Sequence, residues 1–445
     1  MTKEWKDMTW QEKREERFKR WLSPPNAKFI SPEAEKAYKK RVTRFIKAIR
    51  METPDRVPCM FPAGFYPVYY AGLTLKKAMY DAEALCAAWL KFMHDFPDMD
   101  TFTGPGIVQP GKVLDMIDFK LYQWPGHGVG DDVSAFQFVE REYMKADEYD
   151  KLIHDPSDFW LRSFMPRQAG AFAGLAKLAP LTPWIGIPNY YLIRFANPEV
   201  QNTLKAMMAA GEELMKWLGT TGKVSRAVLE AGYPQMSGGF SGPPYDELTD
   251  MCRGTKGILL DIYRQPEKMH EAMESLIHIT VEDAVNMANM SGCPLVNMPL
   301  HKGSKYFMSD KQFREFYWPT FKKVMMGMIE EGVVPMPFAE GNYEPRLEYF
   351  REMPKGSVLW YFEQVDLANA KRILGDVACI AGGLPVSVLC TGTPKDVKDY
   401  CRKAIEIGGP GGGYILASGA NMDKRGNPDN LRAMIEAVNE YGVYR

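Results

Sequence analysis

The sequence predicts a (β/α)8 barrel of the TIM type, within the α/β class of folds. From residue 55 onward, about eight short apolar runs alternate with longer helical patterns. Eight parallel strands, each followed by a helix, close a barrel of this type. The length of 445 residues suits one large α/β domain with insertions, or two domains. Barrels carry their chemistry at the C-terminal ends of their strands, so the residues that follow each run are the candidates for function.

Each predicted strand is a short run rich in apolar and β-branched residues. The runs are RVPCM (56–60), DMDTF (98–102), KVSRAVLE (223–230), PLVNM (294–298), VVPMPF (333–338), SVLWYF (357–362), VACIAG (377–382) and GYILAS (413–418). The clearest helical patterns between them are 245–263 and 266–292, and the second ends in a glycine, which is typical of a helix stop.

The chain divides into two predicted parts. Residues 1–51 form a helical extension, because 11–22 alternates charged residues with Phe18 and Trp21 as an amphipathic helix does. Its apolar face either packs on the body of the protein or makes a dimer contact. Residues 52–445 form the barrel. Strands and helices do not alternate cleanly over about 104–222, which predicts a long insertion that partly covers the barrel mouth.

Composition argues against several classes of function. A formal net charge of −1 gives no support to nucleic-acid binding, which needs a concentrated basic face. The sequence has no run of about 18 apolar residues that would predict a membrane span, and its charged N-terminus does not resemble a signal peptide. Seven scattered cysteines without a C-x-x-C pair predict free thiols in a reducing cytoplasm.

The C-terminal third carries a distinctive succession of turns, helices and a strand. It reads IAGGLPVSVLCTGTPKDVKDYCRKAIEIGGPGGGYILASGANMD (380–423), followed by NPDNLRAMIEAVNEYG (427–442). These residues resemble the uroporphyrinogen decarboxylase superfamily, and weaker matches at Thr53, Tyr263 and Met308 extend the likeness over roughly 53–444. The resemblance implies a (β/α) barrel. The superfamily contains decarboxylases and also methyltransferases that exchange a methyl group between a corrinoid and a thiol.

Four positions depart from the decarboxylase pattern. The family's MRQAGR motif aligns with 60–65, so Phe61 and Phe65 replace the two arginines that hold substrate carboxylates. An aromatic ring cannot reproduce the two-pronged hydrogen bonding of a guanidinium group. Asp250 stands where the family has a tyrosine, and Ala420 where it has a histidine. We therefore expect no useful decarboxylation of uroporphyrinogen.

The zinc ligands of the related methyltransferases are also missing. Their H-x-C-G motif aligns with 338–341, and their last cysteine aligns with Ala420. Only Glu340 among these residues could bind a metal. Any divalent metal is therefore expected to have oxygen and nitrogen ligands rather than thiolates.

Four titratable residues are the candidate catalytic residues. Glu340 follows the apolar run at 333–338, Glu363 ends the next strand, His301 follows the fourth strand, and Asp250 lies near a helix start. Carboxylates and an imidazole at one barrel mouth can divide acid and base roles or hold a metal. The structural alternatives are a backbone-bound Glu340, a salt-bridged Glu363, a structural His301 and an Asp250 that only favours a helix dipole.

Five further residues form the predicted substrate-binding set. Phe61, Phe65 and Tyr66 make an aromatic patch after the first strand, which is either core or the wall of a site for a flat ligand. Asn297 lies close to His301 in the sequence and could orient a substrate. Asn421, after the last strand, completes the set.

By elimination, the sequence predicts a methyltransferase-type enzyme that works with a corrinoid (cobalamin) or a corrinoid protein. It would demethylate or dehalogenate a small, partly aromatic substrate. One alternative is decarboxylation of a porphyrin-like substrate, and another is a non-catalytic barrel that binds a tetrapyrrole or a partner protein. A homodimer is a further expectation, whereas membrane and nucleic-acid partners are not expected.

Overall fold

Ten strands form two sheets in the computed structural model, which describes residues 3–181 and 192–444. The main sheet contains β1 Cys59–Met60, β5 Gly239–Phe240, β6 Leu295–Leu300, β7 Val334–Asn342, β8 Leu359–Gln364, β9 Cys379–Leu384 and β10 Tyr414–Ser418. A second, small sheet contains β2 Tyr122–Pro125, β3 Gly128–Val129 and β4 Gln137–Phe138. All pairs in the main sheet are parallel, in the order β1-β10-β9-β8-β7-β6-β5. This curved parallel sheet with helical connections is the predicted TIM-type barrel.

Helices surround the sheet and connect its strands. The α-helices are Trp10–Leu22, Pro32–Ile49, Tyr66–Tyr70, Leu75–Tyr80, Ala82–Asp95, Gly111–Ile117, Tyr149–His154, Pro156–Phe159, Met165–Gln168, Pro198–Glu230, Pro244–Glu247, Gly254–Arg264, Pro266–Ser291, Asp310–Gln312, Trp318–Glu330, Leu347–Phe350, Leu367–Leu374, Val386–Thr391, Pro394–Gly408 and Pro428–Tyr441. Short π-helical segments, at Trp160–Phe164, Leu248–Arg253 and Phe313–Tyr317, continue three of them. Segments of 3₁₀-helix occur at Trp5–Asp7, Gly170–Lys177, Ile193–Ala196 and Glu344–Arg346. Among the described helices, none is both long and apolar enough to span a bilayer.

The strand predicted at 223–230 is wrong, because these residues end the 33-residue helix Pro198–Glu230. Val224 and Val228 are buried four residues apart, which is helical spacing. The Asn197 side chain caps the start of this helix by accepting from the N–H of Glu199. The strand that joins the sheet instead is β5, which has only two residues and so gives no apolar run in the sequence.

The strand predicted at 98–102 also does not form. This segment lies between β1 and the residues that lead to β5. Its side chains, rather than a ladder of backbone hydrogen bonds, connect it to both. The Asp100 carboxylate accepts from the N–H of Cys59 at 2.8 Å, and the Thr101 hydroxyl donates to the carbonyl of Pro234 at 2.7 Å. Asp100 is buried and paired with Arg56 at 2.8 Å, so its charge is compensated inside the protein.

The N-terminal helices close one end of the barrel. Phe18 and Trp21 from Trp10–Leu22, together with Phe45 from Pro32–Ile49, are buried in one apolar cluster with side chains from inside the sheet, including Met336 of β7 and Ala417 of β10. The apolar face of the extension thus packs on the body of the protein. Since this end is filled, the C-terminal ends of the strands form the accessible mouth of the barrel.

Part of the predicted insertion borders this mouth. The Tyr69 hydroxyl donates to the carbonyl of Ser134 at 2.8 Å, and the Lys424 ammonium donates to the carbonyl of Asp132 at 2.6 Å. Phe136 packs edge-to-face on Phe65 with ring centroids 5.4 Å apart. These contacts hold 132–136 beside the loops that follow β1 and β10.

Candidate active site

The register of the sheet brings three of the predicted residues into one row at the mouth. Leu300 of β6 pairs with Ala339 of β7, and Ala339 pairs with Phe362 of β8. The residues that directly follow Leu300, Ala339 and Phe362 are His301, Glu340 and Glu363. Within β7, side chains two residues apart share a face, and Val334, Met336 and Phe338 face the inside of the barrel. Glu340 continues this series at the mouth.

His301 lies between two carboxylates. Its Nδ1 is 2.5 Å from Oδ2 of Asp250, and its Nε2 is 3.9 Å from Oε1 of Glu340. Lys302 places its ammonium 3.2 Å from the other oxygen of Asp250. The side chains of His301 and Glu340 are 41% and 43% exposed, whereas that of Asp250 is 16% exposed. Asp250 thus anchors an imidazole whose other nitrogen faces the open mouth.

These charges determine the protonation of His301. Burial lowers its pKa, but the hydrogen bond to Asp250 and the negative charges of Asp246, Asp250 and Glu340 outweigh that effect and raise the pKa to about 9. His301 is therefore an imidazolium at neutral pH and can donate a proton from Nε2. Burial raises the pKa of Glu340, partly opposed by the nearby charge of His301.

Sequence reasoning missed Asp246, which fixes the loop that carries His301. Its buried carboxylate accepts from the backbone N–H groups of His301 at 2.8 Å and Lys302 at 3.1 Å, and from the Tyr317 hydroxyl at 2.8 Å. Burial is the main cause that raises its pKa to about 6. Asp246 precedes Asp250 by four residues, so the helical pattern of 245–263 places both on one side. That spacing was a signal in the sequence.

Two tyrosines and an arginine complete the support of the same loop. The Gly303 N–H donates to the Tyr343 hydroxyl at 3.1 Å. A Cβ on Gly303 would lie only 2.9 Å from ring atoms of both Tyr317 and Tyr343, so glycine is needed there. Arg346, which is buried, donates to the carbonyl of Met308 at 2.7 Å. These contacts hold the loop that carries His301 in place.

Glu363 binds the backbone of the residue that directly follows Glu340. Its Oε2 accepts from the N–H of Gly341 at 2.6 Å. Gly341 has φ +83°, a conformation that favours glycine, and it follows Glu340 directly. Glu363 thus stabilises the turn that presents Glu340, and its charge adds to the causes that raise the pKa of Glu340.

An aromatic pair lies below the row of polar side chains. The rings of Phe338 and Tyr361 stack with centroids 4.4 Å apart, two residues before Glu340 and Glu363 on the same faces of their strands. Asn297 pairs in register with Met336 and follows Leu295, which faces the barrel interior, by two residues. Asn297 is therefore deeper in the barrel than His301. The sequence did not identify the aromatic pair as part of a site.

The predicted aromatic patch is divided between core and mouth. Phe61 is 3% exposed and packs on Phe92, and Tyr66 is buried with its hydroxyl donating to the carbonyl of Gly426 at 3.0 Å. Phe65 is partly exposed against Phe136. Asn421 is exposed and lies against Gly64, where a Cβ would come within 2.7 Å of it. Phe65 and Asn421 thus border the mouth.

The donor groups do not fit a metal centre of the methyltransferase kind. Within 3–181 and 192–444, no three His, Cys, Asp or Glu side chains are arranged to hold a metal ion. The seven cysteines are free, and six are buried. Burial raises the pKa of Cys59, Cys252, Cys293 and Cys379 to about 12, which disfavours the thiolate form that binds zinc.

The fold and site define a (β/α) barrel with a charged centre at the C-terminal mouth. The family model for uroporphyrinogen decarboxylase (URO-D) matches residues 196–441, more than half of the chain. The chain therefore belongs to the uroporphyrinogen decarboxylase family.

Three proteins similar to this chain are distant from it in sequence. The uroporphyrinogen decarboxylase of Chromohalobacter salexigens is 23% identical over 219 residues, which are 45% of this chain and 58% of that protein. That of Coxiella burnetii is 21% identical over 260 residues, covering 57% of this chain and 70% of the relative. The match thus spans little more than half of the first of these relatives. A methyltransferase from Methanosarcina mazei has a similar fold, with a TM-score of 0.55, 15% identity, and coverage of 90% of this chain and 98% of that one.

Proposed function

We propose that this protein is a corrinoid-linked methyltransferase that demethylates or dehalogenates a small, partly aromatic substrate. The observation that carries the proposal is His301 held between the carboxylates of Asp250 and Glu340, a position in which its pKa rises to about 9. A fixed proton donor at an open mouth suits a reaction whose leaving atom gains negative charge. The stacked Phe338 and Tyr361 below it offer an apolar surface for an aromatic ring.

A corrinoid at the mouth would supply the cobalt centre that takes up the methyl group. The chain's own residues act on the leaving group. As the bond between the methyl carbon and the ether oxygen breaks, the electron pair stays on oxygen, and the Nε2 proton of His301 moves to it. Asp250 holds the other ring nitrogen and keeps the imidazole in position, as buried carboxylates do for catalytic histidines.

Glu340 has two tasks in this scheme. Its charge faces Nε2 of His301 at 3.9 Å, which favours the protonated ring before the substrate enters. After turnover, its half-exposed carboxylate can take a proton from solvent and pass it to Nε2 of His301. The Phe338 and Tyr361 rings and the segment 132–136 would limit the entry of water around the reacting atoms.

Decarboxylation of a porphyrin-like substrate is the second candidate. Its support is that matched relatives are named uroporphyrinogen decarboxylases and that His301 and Lys302 could hold a carboxylate. The weakness is at Phe61 and Phe65, where neither side chain can pair with carboxylates. A third outcome, a barrel that binds without turnover, is distinguished by the same experiment.

The test mixes the purified full-length protein with reduced cobalamin and a panel of methoxyarenes and halomethanes without oxygen. Formation of methylcobalamin is followed by absorbance, and the phenol product by chromatography. His301→Gln serves as the variant, and His278→Gln, on the helix Pro266–Ser291, as the matched control. We expect methylcobalamin with the wild type and the control but not with His301→Gln. In a parallel assay with uroporphyrinogen, turnover would support the second candidate, and no turnover in either assay would overturn both enzymatic candidates.

A further inference from the structure

The inner face of β6 alternates polar and apolar side chains on the way to the mouth. Leu295 faces the barrel interior, and side chains two residues apart share a face of a strand, so Asn297, Pro299 and His301 follow it on that face. Asn297 and Pro299 are partly exposed. The backbone carbonyl of Asn297 accepts from the N–H of Ser241 at 2.9 Å, whereas its side-chain amide has no protein partner among the described residues. This amide is therefore free to bind a ligand.

The neighbouring strand β5 places an aromatic ring beside Asn297. Phe240 pairs with Asn297 in the register of the sheet. A Cβ on Gly239 would lie 2.7 Å from the side chain of Met287 on the helix Pro266–Ser291, so position 239 faces the outer helices and Phe240 faces the interior. Phe240 is nevertheless 59% exposed. The barrel interior is therefore open down to the level of Asn297.

The spacing along β6 limits the size of a ligand that reaches both polar side chains. Four residues of extended strand separate Asn297 from His301, a distance of about 13 Å. A hydrogen bond at each end takes about 3 Å, which leaves about 7 Å between the two bound atoms. This is close to the separation of two oxygen atoms at opposite positions of a benzene ring. Pro299 lies halfway and pairs with Phe338, so both offer an apolar surface to that ring.

We propose that Asn297 recognises a neutral hydroxyl or carbonyl group on the aromatic substrate, at the ring position opposite the methyl ether. This assignment deepens the methyl transfer proposed above and rests on it. The ether oxygen lies at Nε2 of His301, and the opposite group lies at the amide of Asn297. An amide both donates and accepts hydrogen bonds, so it can satisfy a phenol hydroxyl or a carbonyl.

The surroundings of Asn297 favour a neutral group over a carboxylate. Met336 and Phe240, its neighbours in the register of the sheet, are apolar. Below the mouth, the inner faces of β5, β6 and β7 carry no lysine or arginine, and the charged groups nearest in the sequence of β7 and β8 are the carboxylates of Glu340 and Glu363. A carboxylate beside Asn297 would lose water without gaining a cation.

The test measures the binding of substrate analogues to the full-length protein by isothermal titration calorimetry, without cobalamin. We expect para-methoxyphenol to bind about tenfold more tightly than para-methylanisole, which lacks the hydroxyl group. It should also bind more tightly than ortho-methoxyphenol, which is too short, and than para-methoxybenzoate, which is charged. Asn297→Leu, a replacement of similar size, should reduce the preference for para-methoxyphenol over para-methylanisole to about twofold or less. Asn286→Leu, at an exposed asparagine of Pro266–Ser291, is the matched control and should keep it.

A second variant and a second assay make the outcomes distinct. Asn297→Ala repeats the measurement with a smaller side chain, and circular dichroism checks that both variants are folded. Absence of binding, equal affinity of the wild type for para-methoxyphenol and para-methylanisole, or a preference that Asn297→Leu and Asn297→Ala retain would each overturn the role of Asn297. If Asn297 carries the preference but the wild type forms no methylcobalamin, the proposed reaction fails and the recognition by Asn297 stands.

Discussion

The Nδ1 atom of His301 lies 2.5 Å from Oδ2 of Asp250, although these residues follow two different strands of the barrel. Asp250 belongs to the π-helical segment Leu248–Arg253 after β5, and His301 follows β6. The sheet places these strands side by side, so the two side chains meet at the mouth. The contact directs Nε2 of His301 toward Glu340 and makes the ring a proton donor.

The first prediction concerns the pKa of His301. Asp250→Asn removes the charge that favours the imidazolium, so the pKa should fall from about 9 toward the ordinary value of about 6.5. Nuclear magnetic resonance titration of the histidine ring protons measures this, and His301→Gln identifies the signal among the six histidines. Lys323→Gln, which removes an exposed ion pair to Glu274 outside the candidate site, is the control.

The same raised pKa determines how this residue contributes to stability. Folded His301 binds its proton more tightly than the unfolded chain does. Its contribution is fully present below about pH 6.5 and is lost as the pH rises through about 9. Asp250→Asn should reduce this pH dependence of the free energy of unfolding. An unchanged titration of His301 in the variant would show that Asp250 does not hold the ring.

The second prediction concerns Asp246. Asp246→Ala leaves the N–H groups of His301 and Lys302 and the Tyr317 hydroxyl without their acceptor, and should lower the free energy of unfolding by about 3 kcal/mol. Tyr317→Phe, which removes one donor only, should cost about 1 kcal/mol. Urea denaturation measures both. Equal stability of Asp246→Ala and wild type would contradict the role of Asp246 in fixing the loop.

The third prediction is that uroporphyrinogen is not decarboxylated at a useful rate. Phe61 is buried against Phe92, and Phe65 packs on Phe136, so neither can pair with the carboxylates of a porphyrinogen. Chromatography of the products measures the conversion, with an authentic decarboxylase as the positive control. Steady formation of coproporphyrinogen by the pure protein would contradict this expectation.

The fourth prediction is that any metal bound by this protein has oxygen and nitrogen ligands. Ala420 and Glu340 replace the cysteines of the related methyltransferases, and the buried cysteines have raised pKa values. Cobalt(II) added to the protein should therefore show no thiolate-to-metal charge-transfer absorption. An absorption band of this kind that disappears when a cysteine is replaced would contradict the prediction.

Much of the fold could be predicted because barrel strands between 294 and 418 leave clear apolar runs. The predictions failed where local patterns are ambiguous. Val224 and Val228 fit a strand as well as a helix over eight residues, and β5 is too short to give any pattern. At 98–102 the buried Asp100 takes a backbone donor with its side chain, a contact that no local pattern indicates.

The candidate site was predicted only in part from the sequence. His301, Glu340 and Glu363 could be found because each directly follows or ends an apolar strand, and strand register then aligns them. Asp246 and Tyr343 were missed because their roles depend on contacts with residues far away in the sequence, such as the 40-residue separation of Gly303 and Tyr343. Glu363 was found, but its bond to the Gly341 N–H depends on a turn that the sequence does not reveal.

The final prediction concerns Glu340, whose carboxylate faces Nε2 of His301. Glu340→Gln keeps the shape of the side chain and removes its charge. We expect the free energy of unfolding to stay within about 1 kcal/mol of the wild type, while turnover falls by about a hundredfold or more. Glu348→Gln, at an exposed glutamate of Leu347–Phe350, is the matched control and should leave both quantities unchanged.

Single-turnover formation of methylcobalamin, measured side by side for wild type, Glu340→Gln and Glu348→Gln, tests the central claim most directly. The claim predicts rapid methyl transfer by the wild type and Glu348→Gln and its near loss in a stably folded Glu340→Gln. Full methyl transfer by Glu340→Gln, or none by the wild type with any methoxyarene or halomethane of the panel, would contradict it.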